Sequence, residues 1–245
     1  DVERDSMRLL VLLSLILNAN LLYADEIKLG VGLALPPYVI SEDNTGMELQ
    51  IVQEALALGG HHVKIVHLPF ARVPTSIAAR EIDAAVTINE NSGIRNIYYS
   101  DIHMTYQNVA VSLVKNQFAI QSVSDLKDYS IIAFQNAKNY LGSDYAEMTI
   151  ANGRYKEIAQ QSRQIKMLYS GRVEVIVLDI NIFKYYKNRE PSLDTSVDIT
   201  IHELFPPSDY KVGFLDEQIR KDFNAGLKAL KANGRYQEII KSYLQ

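Results

Sequence analysis

Asp179 stands directly after a predicted β-strand, and Tyr38 lies just after the end of another, where α/β proteins place their ligands. The ring of Tyr38 could cover one face of a ligand, or it could pack within its own part of the fold. Asp179 follows the apolar run Val175–Leu178, and its carboxylate could pair with a cationic group in a closing cleft. It could also cap the helix predicted over 180–188, because Asp is a preferred N-cap residue. Both positions predict a binding site, and their structural alternatives stay open.

The histidines and the sequence motifs do not indicate a catalytic or metal site. His61, His62 and His67 span a turn leading into a strand, with no carboxylate at metal-binding spacing, so we interpret them as surface residues. The chain contains no Gly-x-Ser-x-Gly motif, Walker loop or dinucleotide-binding glycine pattern. It has no cysteine, which excludes disulfides, thiolate metal ligands and a cysteine nucleophile. We therefore expect no metal, no cofactor and no catalytic residue.

Composition points to a globular protein with room for one or two lobes. The 245 residues are 47% hydrophobic and 22% charged, both ordinary values for a folded chain. The 25 basic and 29 acidic residues give a net charge of −4. Nucleic-acid binding is not expected, because such proteins usually carry a basic excess.

The beginning of the chain has the features of a secretory signal sequence. Arg8 precedes the apolar run Leu9–Leu17, which is much shorter than the roughly 20 residues that a membrane-spanning helix needs. Ala24 is a small residue at the expected cleavage point, and we interpret Met7 as the natural start. We expect residues 1–24 to be absent from a periplasmic mature chain, which without cysteine is not a lipoprotein. An uncleaved membrane anchor is the alternative.

Strands and helices alternate in two successive groups, which predicts parallel α/β sheets. The first group has strands at 27–32, 63–68 and 84–88, and helices at 46–58 and 74–80. The second has strands at 130–134, 173–178, 197–202 and 210–214, and helices at 138–150, 155–170, 180–188, 216–231 and 236–244. The extended segment 109–114 links the two groups. The sequence Asn-Gly-Arg-Tyr occurs at 152–155 and 233–236, and we interpret both copies as a turn followed by a helix.

Seven short motifs occur in the order found in one family of binding proteins. They are Pro36-Pro37-Tyr38, Gly46-Met47-Glu48-Leu49, Glu81-Ile82-Asp83-Ala84-Ala85, Tyr99-Ser100-Asp101, Ser124-Asp125-Leu126-Lys127, Gly171 to Asp179, and Asn233-Gly234-Arg235-Tyr236. Through them, residues 27–245 resemble the periplasmic solute-binding proteins of family 3, the amino-acid-binding type.

The resemblance implies a two-lobed α/β fold of the type II periplasmic-binding class. Each lobe would have a mostly parallel sheet flanked by helices, with hinge strands near 109–114 and 210–214. Lobe 1 would comprise 25–110 and 212–245, and lobe 2 would comprise 111–211. The function implied is capture of a small polar solute, such as an amino acid, by a monomer that serves an inner-membrane ABC permease.

Two other functions remain open at this level. A protein of the same fold could report a solute to a receptor instead of a permease. A few proteins of this fold are dehydratases acting on cyclic acids, in which case Glu90 or Asp179 could act as a base.

The resemblance also implies how an amino acid would be held, and here the chain departs from the family. Asp179 would pair with the α-ammonium group. The family's carboxylate-binding arginine is replaced by Gly93, so that Arg72 or Arg95 would have to take its place. Arg72 precedes a predicted helix, whereas Arg95 lies in a polar loop, and we favour Arg72.

Four further residues complete the predicted site. Gln135 and Asn136 follow a strand, where helix-opening amides could bind an anion. Backbone amides near Asn89 could assist the arginine. If the ligand has no carboxylate, Asn89, Glu90 and Asp179 would instead contact a neutral or cationic solute.

Overall fold

Residues 26–194 and 196–245 are described by this computed structural model, and they form two mixed β-sheets flanked by helices. The expected signal sequence, its apolar run and its cleavage after Ala24 lie outside the described residues. The two-lobed fold predicted from the sequence is confirmed.

The first sheet belongs to lobe 1 and has a parallel centre. Its strands are β1 (Ile27–Val31), β2 (Val63–His67), β3 (Ala84–Ile88), β4 (Tyr98–Tyr99), β5 (Met104–Tyr106) and β11 (Ser208–Phe214). The order is β2-β1-β3-β11-β4, and β5 pairs with β11. Strands β2, β1 and β3 are parallel, while β11 runs antiparallel to β3, β4 and β5.

The second sheet belongs to lobe 2 and is built in the same way. Its strands are β6 (Asn108–Leu113), β7 (Ile131–Phe134), β8 (Tyr155–Ile158), β9 (Val175–Asp179) and β10 (Ile199–His202), in the order β10-β6-β9-β7-β8. Strands β8, β7 and β9 are parallel, and β6 is antiparallel to both β9 and β10. The continuous apolar runs of β6 and β9 suit strands that are buried on both faces.

Helices cover the faces of both sheets. Lobe 1 has α1 (Met47–Leu58), α2 (Val73–Ala78), α7 (Glu217–Ala232) and α8 (Arg235–Leu244), and lobe 2 has α3 (Ala137–Tyr140), α4 (Ser143–Ala151), α5 (Ser162–Tyr169) and α6 (Ile180–Asn188). Helix α6 of lobe 2 packs against α8 of lobe 1. The Asn188 side chain there donates a hydrogen bond to the carbonyl of Leu244, at 2.9 Å. The lobes therefore contact each other through α6 and α8 as well as through the connecting strands.

The prediction of one helix over 155–170 is wrong in its first part. Residues 155–158 form the edge strand β8, paired with β7, and the helix begins only at Ser162. Lys156 and Glu157 are compatible with either structure, so sheet pairing decides the outcome. The helix predicted over 138–150 is divided by Gly142, whose φ of 93° is a left-handed conformation suited to glycine.

The chain passes between the two sheets a few residues before each predicted hinge segment. The first crossing is at Gln107, between β5 and β6, and the second lies at 203–207, between β10 and β11. The predicted segments 109–114 and 210–214 lie mainly within β6 and β11, where sheet hydrogen bonds hold them. The division of the chain into two lobes at 110–111 and 211–212 stays a prediction.

Gly226 allows a close contact between α7 and α1 in lobe 1, and its replacement should destabilise the protein. A Cβ atom at this position would lie 2.0 Å from the carbonyl oxygen of Ala55 in α1. Gly226→Ala should therefore lower the free energy of unfolding by about 1–3 kcal/mol through overpacking. Gly153→Ala is the control, because a Cβ there meets no atom within 4 Å, and it should change stability by less than about 0.5 kcal/mol. If urea denaturation showed the same loss of unfolding free energy in both variants, the close α1–α7 contact would not matter for stability.

Candidate ligand-binding cleft

A cleft of about 570 Å³ lies between the lobes, on the side where the chain crosses from one sheet to the other. Lobe 1 contributes Gly32, Leu33, Ala34, Leu35, Val39, Pro69, Phe70, Ala71 and Thr87. Lobe 2 contributes Phe134, Tyr140, Gln161, Asp179 and Ile182, and the crossing strands contribute Tyr106, Asn108, Ser208 and Tyr210. The volume falls within the range of about 300–1,000 Å³ typical of small-molecule sites.

Apolar side chains face each other across the mouth of the cleft. Leu33 and Phe70 of lobe 1 are 62% and 49% exposed, and Tyr140 of lobe 2 is 68% exposed. The rings of Phe134 and Tyr140 lie 6.4 Å apart between centroids, so lobe 2 presents an aromatic pair. Exposed apolar surface on both walls of a cleft indicates a binding surface, since isolated lobes gain nothing from it.

Aromatic residues of the crossing strands form the floor. Tyr106 ends β5, Tyr210 lies in β11, and their rings meet edge to face with centroids 4.8 Å apart. Asn108 and Ser208 flank these tyrosines and add the polar groups of the floor. The two crossings thus bring together residues about 100 positions apart in the sequence.

Asp179 lines the cleft, but its carboxylate is engaged by protein donors. Its Oδ1 accepts hydrogen bonds from the N–H groups of Asn181 and Ile182 at 2.8 and 3.1 Å, and therefore caps α6. The same oxygen accepts the hydroxyl of Tyr38 at 2.8 Å, and Oδ2 accepts the N–H of Gln107 at 2.9 Å. Burial raises the pKa of this carboxyl group, and the four hydrogen bonds oppose the rise.

Tyr38 is fully buried behind the cleft wall and does not line the cleft. Its ring stacks on Tyr106 with centroids 3.8 Å apart, and its hydroxyl also accepts a hydrogen bond from the Asn181 side chain at 3.1 Å. Burial, and then the charge of Asp179, raise the pKa of the Tyr38 hydroxyl well above its usual value. Tyr38 thus joins lobe 1 to the start of α6 in lobe 2.

A buried acidic group that the sequence reading did not identify supports the other side of the floor. Glu48 in α1 is fully buried. Its carboxylate accepts hydrogen bonds from the hydroxyls of Thr87 and Tyr106, both at 2.9 Å, and contacts His103 Nε2 at 2.7 Å. Thr87 has a φ of 57°, a strained conformation for a β-branched residue, and Glu48 holds its side chain in place. The sequence feature that could have identified Glu48 is its place as an acidic residue in the first turn of α1.

Neither of the two candidate arginines lies among the residues that line the cleft. Arg72 ends the short helix Phe70–Arg72, and its side chain is exposed although Phe70 and Ala71 beside it face the cleft. Arg95 is exposed in the loop that follows Gly93. Among the described residues, the lining contains no lysine, arginine or histidine.

Asn89 and Glu90 also lie outside the lining. Asn89 caps the short helix Glu90–Ser92, and its side chain donates a hydrogen bond to the carbonyl of Asp209 at 3.1 Å. Glu90 is exposed and forms an ion pair with Lys211, which lowers the pKa of Glu90. Their side chains are thus engaged in contacts with the beginning of β11.

The predicted anion site at Gln135 and Asn136 is occupied by the protein itself. The carboxylate of Glu157 accepts hydrogen bonds from the N–H groups of Asn136 and Lys138, at 2.8 and 3.2 Å. Gln135 is exposed and is not part of the lining. The structure therefore brings only Asp179 of the eight predicted residues into the described lining, and most of the cleft comes from apolar residues that the sequence reading passed over.

Gln161 is a further lining residue that sequence reasoning missed. It precedes α5, and its Oε1 is buried without a hydrogen-bond partner among the described residues. A buried polar atom without a partner is costly, so this amide is available to a ligand. The sequence reading placed Gln161 inside a continuous helix, where it carried no signal.

Solved structures with the same fold include a ligand-binding core, a sensor domain and an ancestral binding protein. The GluR0 ligand-binding core, in complex with L-glutamate, matches with a TM-score of 0.69 at 18% identity, over 91% of this chain and 99% of its own. A histidine kinase sensor domain with similarity to periplasmic binding proteins matches with a TM-score of 0.64 at 14% identity, over 90% and 96%. An ancestral amino acid-binding protein, a precursor of cyclohexadienyl dehydratase, matches at 0.62 and 15%, over 90% and 95%.

These identities establish the fold alone, and no curated protein matches the chain significantly. The family assignment rests on the sequence of the whole folded region. Residues 27–245 match the family model for bacterial extracellular solute-binding proteins, family 3. The chain belongs to family 3 of the bacterial extracellular solute-binding proteins.

Proposed function

We propose that this protein captures a small organic solute in the cleft between its lobes and delivers it to an inner-membrane ABC permease. The observation that carries the proposal is the cleft itself, with opposing apolar walls from the two lobes and a floor made by the crossing strands. Two lobes joined by two connections can close around a ligand, which then stabilises the closed form. A permease that recognises the closed form would accept only the loaded protein.

Binding without chemistry accounts for the composition of the cleft. Among the described residues that line the cleft, Asp179 alone has an acidic side chain, and it accepts four hydrogen bonds from the protein, which leaves it no free role as a base. Within 26–194 and 196–245, no group of His, Asp and Glu residues could hold a metal ion. Dehydratase activity is the alternative that the ancestral precursor of cyclohexadienyl dehydratase suggests. Turnover of a cyclic acid by the purified protein would establish it.

A sensor function is the second candidate, because the fold is shared with a histidine kinase sensor domain. Genes for a permease and an ATPase beside the coding sequence would favour transport, and a histidine kinase gene would favour sensing. An amino-acid ligand, as in GluR0 with L-glutamate, would need Arg72, Arg95 or backbone amides to hold its carboxylate. Neither arginine is among the residues that line the cleft.

Export to the periplasm is part of the same proposal. The family is described as extracellular, and the apolar run Leu9–Leu17 has the length of a signal sequence. No helix among the described residues is long and apolar enough to cross a membrane. We propose that the mature chain acts as a periplasmic monomer without a lipid anchor.

Ligand binding should stabilise the protein and make it more compact. A thermal-shift screen against amino acids, amines, amides and organic acids should yield a ligand that adds about 2.7 kcal/mol at hundredfold excess over its Kd. Small-angle scattering should then show a smaller radius of gyration with that ligand, because the lobes close. A stabilising ligand that leaves the radius unchanged would contradict capture by closure.

Asp179 should prove to be a structural residue, and Asp216 offers a matched control. Asp216 caps α7 through the N–H groups of Gln218 and Ile219, as Asp179 caps α6, but it is exposed and makes no contact between lobes. Asp216→Ala should cost about 1 kcal/mol of unfolding free energy. Asp179→Ala should cost about 2–4 kcal/mol, because the buried Tyr38 hydroxyl and Gln107 N–H also lose their acceptor.

Urea denaturation of both variants distinguishes the two roles of Asp179. Equal losses of stability would show that the contacts with Tyr38 and Gln107 contribute nothing. Unchanged stability together with lost binding of an amine would restore the earlier expectation that Asp179 pairs with a ligand ammonium group.

A further inference from the structure

We infer, building on the proposed solute capture, that the ligand of this cleft has a ring or other apolar body, carries neutral hydrogen-bonding groups and has no carboxylate. Such a ligand differs from the amino acid that the family resemblance implies. The apolar walls, the charge and the free hydrogen-bonding groups of the lining all favour it.

The walls of the cleft are suited to a flat apolar body. Phe70 and Leu33 project from lobe 1, and Phe134 and Tyr140 face them from lobe 2. Three of these side chains are exposed, so a ring between the walls would remove their apolar surface from water. Aromatic contacts of this type stabilise a complex beyond the burial of apolar area alone.

The lining offers no partner for a carboxylate. It contains no basic side chain among the described residues, and Lys211, which follows Tyr210, is paired with Glu90. An anion would also lie near the carboxylate of Asp179, where like charges repel. Closing the lobes around an unpaired charge would therefore be unfavourable.

Backbone amides do not replace the missing arginine. The amides of Asn181 and Ile182, which open α6, are bound by Asp179. The amides of Asn136 and Lys138, which open α3, are bound by Glu157. At both helix starts, a carboxylate of the protein already occupies the place that a ligand carboxylate would take.

Neutral polar groups remain available. The buried Oε1 of Gln161 has no partner, and the side chains of Asn108 and Ser208 make no hydrogen bond within the described part of the chain. Amide and hydroxyl groups of this kind bind neutral donors and acceptors. A ligand with an amide or hydroxyl end would satisfy them.

Matched pairs of compounds test the inference. L-Phenylalanine is compared with L-phenylalaninamide, and benzoate with benzamide, each at millimolar concentration by calorimetry and saturation-transfer NMR. Within each pair the ring and the size are retained, and the carboxylate is replaced by a neutral amide. We expect each amide to bind at least about tenfold more tightly than its acid, equivalent to 1.4 kcal/mol.

Variants of exposed residues locate the binding. Phe70→Ala and Tyr140→Ala should each weaken amide binding about threefold to tenfold, without loss of stability, because both rings are largely exposed. Tyr98→Ala is the control, since Tyr98 is an exposed aromatic residue of lobe 1 that does not line the cleft. It should leave binding unchanged.

The outcomes separate this inference from the proposed function. Acids that bind as tightly as their amides would overturn the inference, while lobe closure with any of them would leave the proposed function intact. Failure of both amides at millimolar concentration would also overturn the inference, and closure with a different compound from the wider screen would still support solute capture. Binding that is equally sensitive to Tyr98→Ala would show that the amides bind outside the cleft.

Discussion

The carboxylate of Asp179 is the point on which the arrangement of the lobes depends. It caps α6 of lobe 2, accepts the Tyr38 hydroxyl from lobe 1 and accepts the backbone N–H of Gln107 at the first crossing. One buried group therefore fixes a helix, a loop and a connection between the sheets. This accounts for a carboxylate that remains buried without a basic partner, since each hydrogen bond offsets part of its desolvation. Engaged in this way, it has little capacity left for a ligand.

Glu48 plays a comparable part within lobe 1. Its hydrogen bonds to Thr87 and Tyr106 hold one wall and the floor of the cleft, while Tyr106 stacks on Tyr38, which reaches Asp179. Polar groups thus lie behind the cleft, and mainly apolar side chains face into it. The site depends on this separation, because an apolar surface keeps its shape only when the polar groups beneath it are satisfied. The cleft is consequently suited to recognise its ligand by ring contact and neutral hydrogen bonds.

The fold was largely predictable from the sequence, whereas the site was not. Apolar runs such as β6 and β9 indicate buried strands wherever they occur, and the family motifs add the order of the elements. Local sequence does not predict the secondary structure where tertiary contacts determine it. The pattern Asn-Gly-Arg-Tyr-x-Glu-Ile occurs at 152–158 and 233–239, and it forms strand β8 in one case and helix α8 in the other. The first copy is paired with β7, while the second begins at Gly234, whose φ of 84° follows the end of α7. The residue types that suggest binding chemistry are mostly charged or polar, and the sequence does not reveal their partners in space. The apolar lining residues Leu33, Phe70 and Tyr140 carry no such signal.

Competition in a crystal tests the absence of a carboxylate in the ligand most directly. Crystals soaked in an equal mixture of L-phenylalanine and 2-phenylethanol offer the same ring with a carboxylate in one compound and a neutral hydroxyl in the other. We predict electron density for the alcohol, with its ring between Phe70 and Tyr140. Density for L-phenylalanine, with its carboxylate held by Arg72 or Arg95, would contradict this account and restore the amino-acid site that the family resemblance implies.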